Sequence, residues 1–260
     1  MKMPTIPLLV VAAVVLLIIR KITFLPRASL RPNRTISWAI FLTCGACLVA
    51  LYISLVFWSA DDVRSDSEAL SFYFATCAAC LLIMQGVFHS CGVSLRDDAV
   101  ERRNRAAAFV VAAQTVAVTF CVACSNVGNG PGPEAVAFCM LISNGTLVAL
   151  WLMLDRMTRA IDTLTIERDD NAGWRIGAWF IATSAVIGAS VAGDWISYEA
   201  TLRDFARCAW PVVILLMVEV LAERYFALRS ERKVHRVASA VLGAGELAAG
   251  VAYASWVLRA

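Results

Sequence analysis

Repeated apolar runs of about 20 residues are the feature that most constrains how this chain can fold. Runs of this length cross a bilayer as helices, because every backbone N–H and C=O must be bonded internally where water is absent. Spanning strands would show alternating segments of roughly 10 residues, whereas these runs are apolar on every face. Only 17% of the residues are charged, against about 25% in soluble domains. The sequence therefore predicts an all-α, polytopic transmembrane helix bundle.

The apolar runs predict about eight spans within one membrane domain that covers residues 1–260. The spans lie at about 5–22, 36–59, 69–92, 105–125, 134–155, 174–194, 205–224 and 237–257. The first run, "TIPLLVVAAVVLLII", is also short enough for the core of a cleaved signal peptide. It is followed by "RKITFLPR" and by no small-residue cleavage site, which favours a retained anchor. No break between spans is long enough to bury a core of its own.

The distribution of basic residues predicts the orientation in the membrane. Of the 23 Lys and Arg residues, 18 lie in or at the edges of the breaks that follow the first, third, fifth and seventh spans, Arg175 among them. Cytoplasmic loops carry such an excess of basic residues, so both termini are expected outside the cytoplasm. Strict alternation of basic and non-basic breaks also favours the count of eight spans. We expect these breaks to face anionic lipid headgroups rather than nucleic acid.

A short pattern recurs before three of the spans: an Asn, then small residues, then an apolar run. The asparagines are Asn33, Asn104 and Asn171. Asn is a favourable N-cap, because its side-chain oxygen accepts a free backbone N–H of the first helical turn. The pattern predicts four tandem helix pairs, grouped into halves of about 1–130 and 131–260. Capping and orientation are its first interpretation, and ligand binding is the alternative.

The segments "ERRNRAAAF" and "IERDDNAGW", together with "MQGVF" in the third span, resemble the bacterial membrane family DUF350, a domain of unknown function. The resemblance extends over nearly the whole chain, as two copies of a four-helix unit. The fourth repeat departs from the pattern, with His235 or Arg236 at the Asn position. The resemblance implies a bacterial inner-membrane protein, and it implies no catalytic residues.

Polar side chains inside predicted spans are candidates for a transport pathway, because each costs free energy in lipid and tends to face the bundle interior. The candidates are Glu246, Gln114, Asn144, Gln85 and Glu219. Glu246 could instead form an interhelical hydrogen bond that holds helices together. Glu219 and its neighbour Glu223 could instead pair with Arg224 or with an arginine of a neighbouring loop.

Three CxxC pairs lie inside predicted spans, at Cys44/Cys47, Cys77/Cys80 and Cys121/Cys124. A structural zinc site commonly places such pairs on turns, whereas a buried cysteine behaves as a small apolar residue. We therefore expect packing and no metal. Ladders of small residues in the sixth and eighth spans allow close helix contacts, and they predict that the even-numbered spans form the centre of the bundle.

Two hypotheses for function follow. The first is a transporter or channel-like bundle for a small ion or solute, based on the mid-span polar residues. The second is a non-enzymatic membrane scaffold or envelope-stress protein that recruits a partner through its basic loops. No motif of a known enzyme class or of cofactor binding is present in the sequence, so we expect neither catalysis nor a cofactor. The expected partners are the lipid bilayer and either a second copy of the chain or another membrane protein.

Overall fold

The computed structural model describes residues 34–227 and 232–259, and within these ranges the chain is helical and contains no strand. The longer helices are α1 Arg34–Trp58, α2 Ser67–Ser90, α3 Arg105–Cys124, α4 Pro133–Thr158, α5 Asp170–Ala189, α6 Tyr198–Ala209, α7 Pro211–Ala227 and α8 Arg232–Val257. Shorter α-helical segments are Asp61–Ser65 and Ala160–Asp162, and two π-helices are Leu95–Glu101 and Thr163–Glu167.

Five of these helices are long and apolar enough to cross a bilayer, so the chain is a multi-pass membrane protein. The candidate spans are Thr35–Trp58, Ser67–Ser90, Arg105–Cys124, Pro133–Thr158 and Val237–Val257. A sixth candidate is α6 with α7, which are bent by 41° where Pro211 begins α7. The predicted span at about 5–22 lies outside the described residues. Because α5 is a helix but not among the candidate spans, the count of eight stays a prediction.

Helix α5 is the centre of the bundle, with 16 of its 20 residues buried. Glycines bring α3 and α8 against it. A Cβ atom on Gly173 would lie 2.6 Å from Cα of Ala106 in α3, and one on Gly250 of α8 would lie 2.7 Å from the carbonyl oxygen of Ala182. Small residues permit such close backbone approach. The expectation that even-numbered spans form the centre is correct for α3 and α5.

Helix α8, by contrast, lies at the edge of the described bundle. One side of α8 packs on α5, whereas Val237, Val241 and Val251 on its other side are exposed. The predicted ladder of small residues in α8, Ala240, Ala244, Ala248 and Ala252, is exposed as well. The contact with α5 is made instead by Gly243 and Gly250, so the ladder does not make α8 central.

Two basic turns share one backbone geometry. Each consists of a π-helix, an arginine in the left-handed conformation, and a residue that caps the next helix. The φ angles of Arg103 and Arg168 are 54° and 56°. The capping residue donates its backbone N–H to the carbonyl six positions earlier, at 3.3 Å for Asn104 and 3.2 Å for Asp169.

The predicted caps have three outcomes. Asn104 caps α3 as expected, since its Oδ1 accepts from the N–H of Ala107 at 3.3 Å. Its Nδ2 also donates to the carbonyl of Leu164 at 2.6 Å, which ties the two basic turns together. The prediction for Asn171 is wrong: α5 is capped by Asp169, whose carboxylate accepts from the N–H of Asn171. Asp caps as well as Asn does, and the left-handed Arg168 places Asp169 at that position. Asn33 lies outside the described residues.

On the opposite face, two loops pair through their backbones. Gly193 donates to the carbonyl of Val127 at 3.1 Å, and Trp195 donates to that of Asn129 at 2.8 Å. Gly128 has a φ of +101°, and a Cβ atom there would lie 2.3 Å from the carbonyl oxygen of Gly193. Only glycine fits this conformation and this spacing. The pairing brings the ends of α3 and α5 together.

Candidate functional site

A buried cluster of charged side chains lies between α5, α7 and α8. At its centre is Arg175, whose side chain is 1% exposed. Its Nε lies 3.3 Å from Oε1 of Glu219, and its guanidinium also forms an ion pair with Glu223. One further guanidinium nitrogen donates to Oγ of Ser239 at 3.0 Å. The guanidinium carbon lies over the ring of Phe226, 4.6 Å from its centroid, within range of a cation–π contact.

Helix geometry explains why two acids face one arginine. Glu219 and Glu223 are four residues apart on α7, so both lie on the same helix face. That face packs on α5 and meets Arg175, while α8 contributes Ser239. Arginine suits such a site, because its planar, always charged guanidinium can bond several partners at once.

Glu246 on α8 joins the cluster electrostatically. Its carboxyl group is near enough to Arg175 and Glu219 for their charges to influence one another, without an ion pair or hydrogen bond to either. Glu246 is 5% exposed, and neither of its carboxyl oxygens has a hydrogen-bond partner among the described residues. The oxygens of Glu219 also lack an aligned hydrogen bond. Among the described side chains, one guanidinium is therefore set against three carboxyl groups in a place sealed from solvent.

The structure settles which arginine pairs with the acids of α7. Arg224 does not pair with them; it donates to the carbonyl of Met157 at 3.2 Å. Arg175 takes this role, although the sequence analysis counted it among the basic residues of a cytoplasmic break. It is buried inside α5 and is not part of an exposed turn. The sequence already indicated that Arg175 is buried, because residue 175 falls inside the predicted span at 174–194 and is its only charged residue before Asp194.

Gln85 and Gln114 form a second group, separate from Glu246. They line a cavity of about 20 Å³ between α2 and α3. Gln114 is 4% exposed and its Nε2 has no hydrogen-bond partner, whereas Nε2 of Gln85 lies 3.9 Å from Sγ of Cys44. A cavity of this size can hold a single water molecule. Because α3 and α8 pack on different faces of α5, Gln114 and Glu246 do not share one path.

Asn144 forms a hydrogen bond within its own helix. Its Nδ2 donates to the carbonyl of Met140 at 2.9 Å, and its Oδ1 is buried without a partner. The residue is 3% exposed in α4. The five pathway candidates thus fall into three places: Glu219 lies with Glu246, Gln85 lies with Gln114, and Asn144 is separate.

The cysteines are free thiols and lie mostly inside the bundle. Cys77 and Cys121 are fully buried, and Nδ2 of Asn126 lies 3.4 Å from Sγ of Cys77. Within residues 34–227 and 232–259, no group of three or more His, Cys, Asp or Glu side chains has an arrangement that could hold a metal ion.

Comparison with models of known families shows which family the chain belongs to. The family model described as Domain of Unknown Function (DUF350) matches residues 56–191, just over half of the chain. The chain belongs to the DUF350 family. In this DUF350 protein the matched region runs from the end of α1 through α5 and contains Arg175. The acids Glu219, Glu223 and Glu246 lie beyond it, on α7 and α8. Neither the curated proteins nor the solved structures contain a significant match to the chain.

Proposed function

We propose that this protein is a transporter or channel-like protein of the bacterial inner membrane, in which the buried charge cluster binds and releases a proton. The observation that carries the proposal is the excess of acids among the described side chains: Glu219, Glu223 and Glu246 interact with the one guanidinium of Arg175. The proposed activity involves no covalent chemistry and no cofactor.

The charge balance supports a proton. If all three carboxyl groups were ionised, the described side chains of the cluster would hold two uncompensated negative charges in a site of low dielectric. Isolated buried charges are too costly to persist, so such groups are neutralised by protons or by a bound cation. The described residues offer no metal-binding arrangement there. Carboxyl groups this close exchange protons as a coupled set rather than one by one.

Glu246 is the best placed of the three acids to exchange the proton. Glu223 is held by its ion pair with Arg175, whereas both oxygens of Glu246 are without a hydrogen bond. Ionisable side chains in membrane spans commonly mark proton relays and ion pathways. Deprotonation of Glu246 would draw Arg175 away from the acids of α7, which would couple the proton to the packing of α7 and α8.

Orientation is part of the proposal. The two basic turns lie together on one face, joined by the bond from Asn104 to Leu164, and the paired loops near Gly128 and Gly193 lie on the other. The positive-inside rule places the basic turns in the cytoplasm and both termini outside it.

Flux in proteoliposomes tests the function. Purified protein is reconstituted with a pH-sensitive dye inside the vesicles, and proton entry is followed after a potential or pH step. We expect Glu246→Gln to reduce flux at least tenfold, because it keeps the shape of the side chain and removes the titrating group. Glu199→Gln, which removes an acid from an exposed ion pair with Arg203, is the matched control. Full flux in Glu246→Gln at equal reconstitution would refute the assigned site.

A non-enzymatic scaffold is the second candidate, and the packing around Glu246 favours it. Gly243 and Gly250 lie on one face of α8 and allow that face to pack closely on α5. A Cβ atom added at Gly243 would lie only 3.1 Å from Cβ of Ala178. Glu246 would then serve as an interhelical anchor. This scaffold would recruit a partner, either a second copy or another membrane protein, through the exposed basic turns. Charge reversal at Arg102 and Arg168 should then abolish recruitment while the fold is retained, and unchanged recruitment would count against it.

A further inference from the structure

A cavity on the face opposite the basic turns presents hydrogen-bond acceptors and negative charge. It has a volume of about 90 Å³ and lies where the ends of α1, α3 and α5 meet α6 and the start of α4. We propose that this cavity binds a small monovalent cation, either an alkali metal ion or a primary ammonium ion. The site is distinct from the Arg175 cluster, and the proposal does not depend on proton transport.

The floor of the cavity contains three buried serines whose donors are already used. Ser59, Ser125 and Ser190 are each 5–6% exposed. Each hydroxyl donates to the carbonyl of the residue four positions earlier in its own chain segment. A hydroxyl has one donor and two acceptor positions. The lone pairs therefore remain available, and the serines can only accept from a ligand.

Asn126 adds an acceptor that is without a partner. It lines the cavity and is 5% exposed. Its Nδ2 is occupied by the carbonyl of Val122 at 2.7 Å and by Sγ of Cys77, whereas its Oδ1 has no hydrogen bond. Buried polar atoms are nearly always satisfied in native proteins. An unpaired amide oxygen here indicates a ligand that supplies a donor or a positive charge.

Three helix ends add negative potential. Ser59 directly follows α1, while Ser125 and Ser190 are the C-caps of α3 and α5. The C-terminus of a helix carries partial negative charge and favours cations. The N-terminus of α4 also reaches the cavity and has the opposite sign, but Glu134 in its first turn offsets it.

The rim is acidic. Asp62, Asp194 and Asp204 line the cavity, and none of the lining residues is Lys, Arg or His. Asp194 has a structural bond as well, since its Oδ1 accepts from the N–H of Asn129 at 2.7 Å. Asp62 and Asp204 are exposed and contribute attraction at longer range. Acidic walls around a cleft raise the local concentration of cations.

The composition of the floor favours a monovalent cation. Divalent calcium is usually bound by several carboxylates at once, and no such arrangement exists among the described residues. Neutral hydroxyl, amide and backbone oxygens can replace the hydration shell of an alkali ion. The same oxygens can accept the three hydrogen bonds of a primary ammonium group. Tyr73 and Trp195 also line the cavity, and aromatic rings are suitable neighbours for an ammonium ion.

Equilibrium binding to the full-length protein in nanodiscs tests the proposal. Isothermal titration calorimetry uses NaCl, KCl and methylammonium chloride as probes, at an ionic strength held constant with tetrabutylammonium chloride, which is too large for the cavity. We expect saturable binding of at least one probe, and comparison of the three shows whether the ligand is an alkali ion or an ammonium ion. Absence of saturable binding of all three would overturn the proposal, as would tighter binding of MgCl2 than of any of them.

Two double variants test separately how the floor and the rim of the cavity contribute to binding. We expect Ser125→Ala with Ser190→Ala to weaken binding at least tenfold, since two acceptors are lost while the helices keep their backbone bonds. Ser255→Ala is the matched control, because that hydroxyl makes the same bond within α8 but is exposed elsewhere. Asp62→Asn with Asp204→Asn changes only surface residues, and it should weaken binding several-fold without affecting folding. Wild-type affinity in either double variant would overturn the site.

Discussion

Nε of Arg175 lies 3.3 Å from Oε1 of Glu219, and both side chains are excluded from solvent. This contact joins the central helix α5 to α7, and the bond from Arg175 to Ser239 extends it to α8. An ion pair in such a place carries a large desolvation cost, so it is weak evidence for stability and stronger evidence for a specific arrangement. Replacing only one partner of the ion pair, however, leaves the other partner as an unpaired buried charge.

Arg175→Met should therefore lower the free energy of unfolding by about 3–5 kcal/mol. Unfolding in mixed detergent micelles measures this. The triple variant Arg175→Met, Glu219→Gln and Glu223→Gln should recover most of the loss, because it removes both ion-paired acids as well as the cation. Arg203→Met, which breaks an exposed pair, should cost no more than about 1 kcal/mol. A triple variant as unstable as the single one would contradict this explanation.

Gly173→Ala should separate α3 from α5 and cost about 1–3 kcal/mol of stability, as overpacking does. The added methyl would lie 2.6 Å from Cα of Ala106, a backbone atom that cannot move alone. Gly145→Ala in α4 is the control, since a Cβ there meets nothing within 4 Å. The same unfolding assay should show no loss for Gly145→Ala, and equal losses in the two variants would rule out close packing as the cause.

The cap of α5 can be assigned by a pair of alanine variants. Asp169→Ala should cost about 0.5–2 kcal/mol, because it removes the acceptor for the N–H of Asn171. Asn171→Ala should change stability by less than about 0.5 kcal/mol. A larger effect at Asn171 than at Asp169, measured by the same unfolding transition, would restore the original assignment from the sequence.

Gly128→Ala should be more destabilising than Gly132→Ala. Both glycines have positive φ angles, of 101° and 134°, so each variant carries backbone strain of about 1–3 kcal/mol. Only at Gly128 would the new methyl also meet backbone, 2.3 Å from the carbonyl oxygen of Gly193. Thermal unfolding in detergent should rank the variants in this order. Equal melting temperatures would show that the loop pairing is not needed for stability.

Local patterns in the sequence were sufficient for most of the long helices and for one of the three predicted caps. The apolar runs predicted α1 to α4 and α8 within a few residues, because helix formation in lipid depends on length and composition. Asn104 was assigned correctly, since a cap depends on a few neighbouring residues. Asn171 was assigned wrongly because three adjacent residues, Asp169, Asp170 and Asn171, can all cap. Only the left-handed Arg168 decides among them.

The sequence by itself determined that this is a helical membrane protein, that it belongs with DUF350 proteins, and that acids lie inside its apolar segments. Only the tertiary structure decided that Glu219, Glu223 and Glu246 meet one arginine, and that Gln114 lies elsewhere. The physical reason is that hydropathy is a property of consecutive residues. The partner of a buried charge, by contrast, depends on which helix faces pack together, and here Gly243 and Gly250 set the face of α8 that packs on α5.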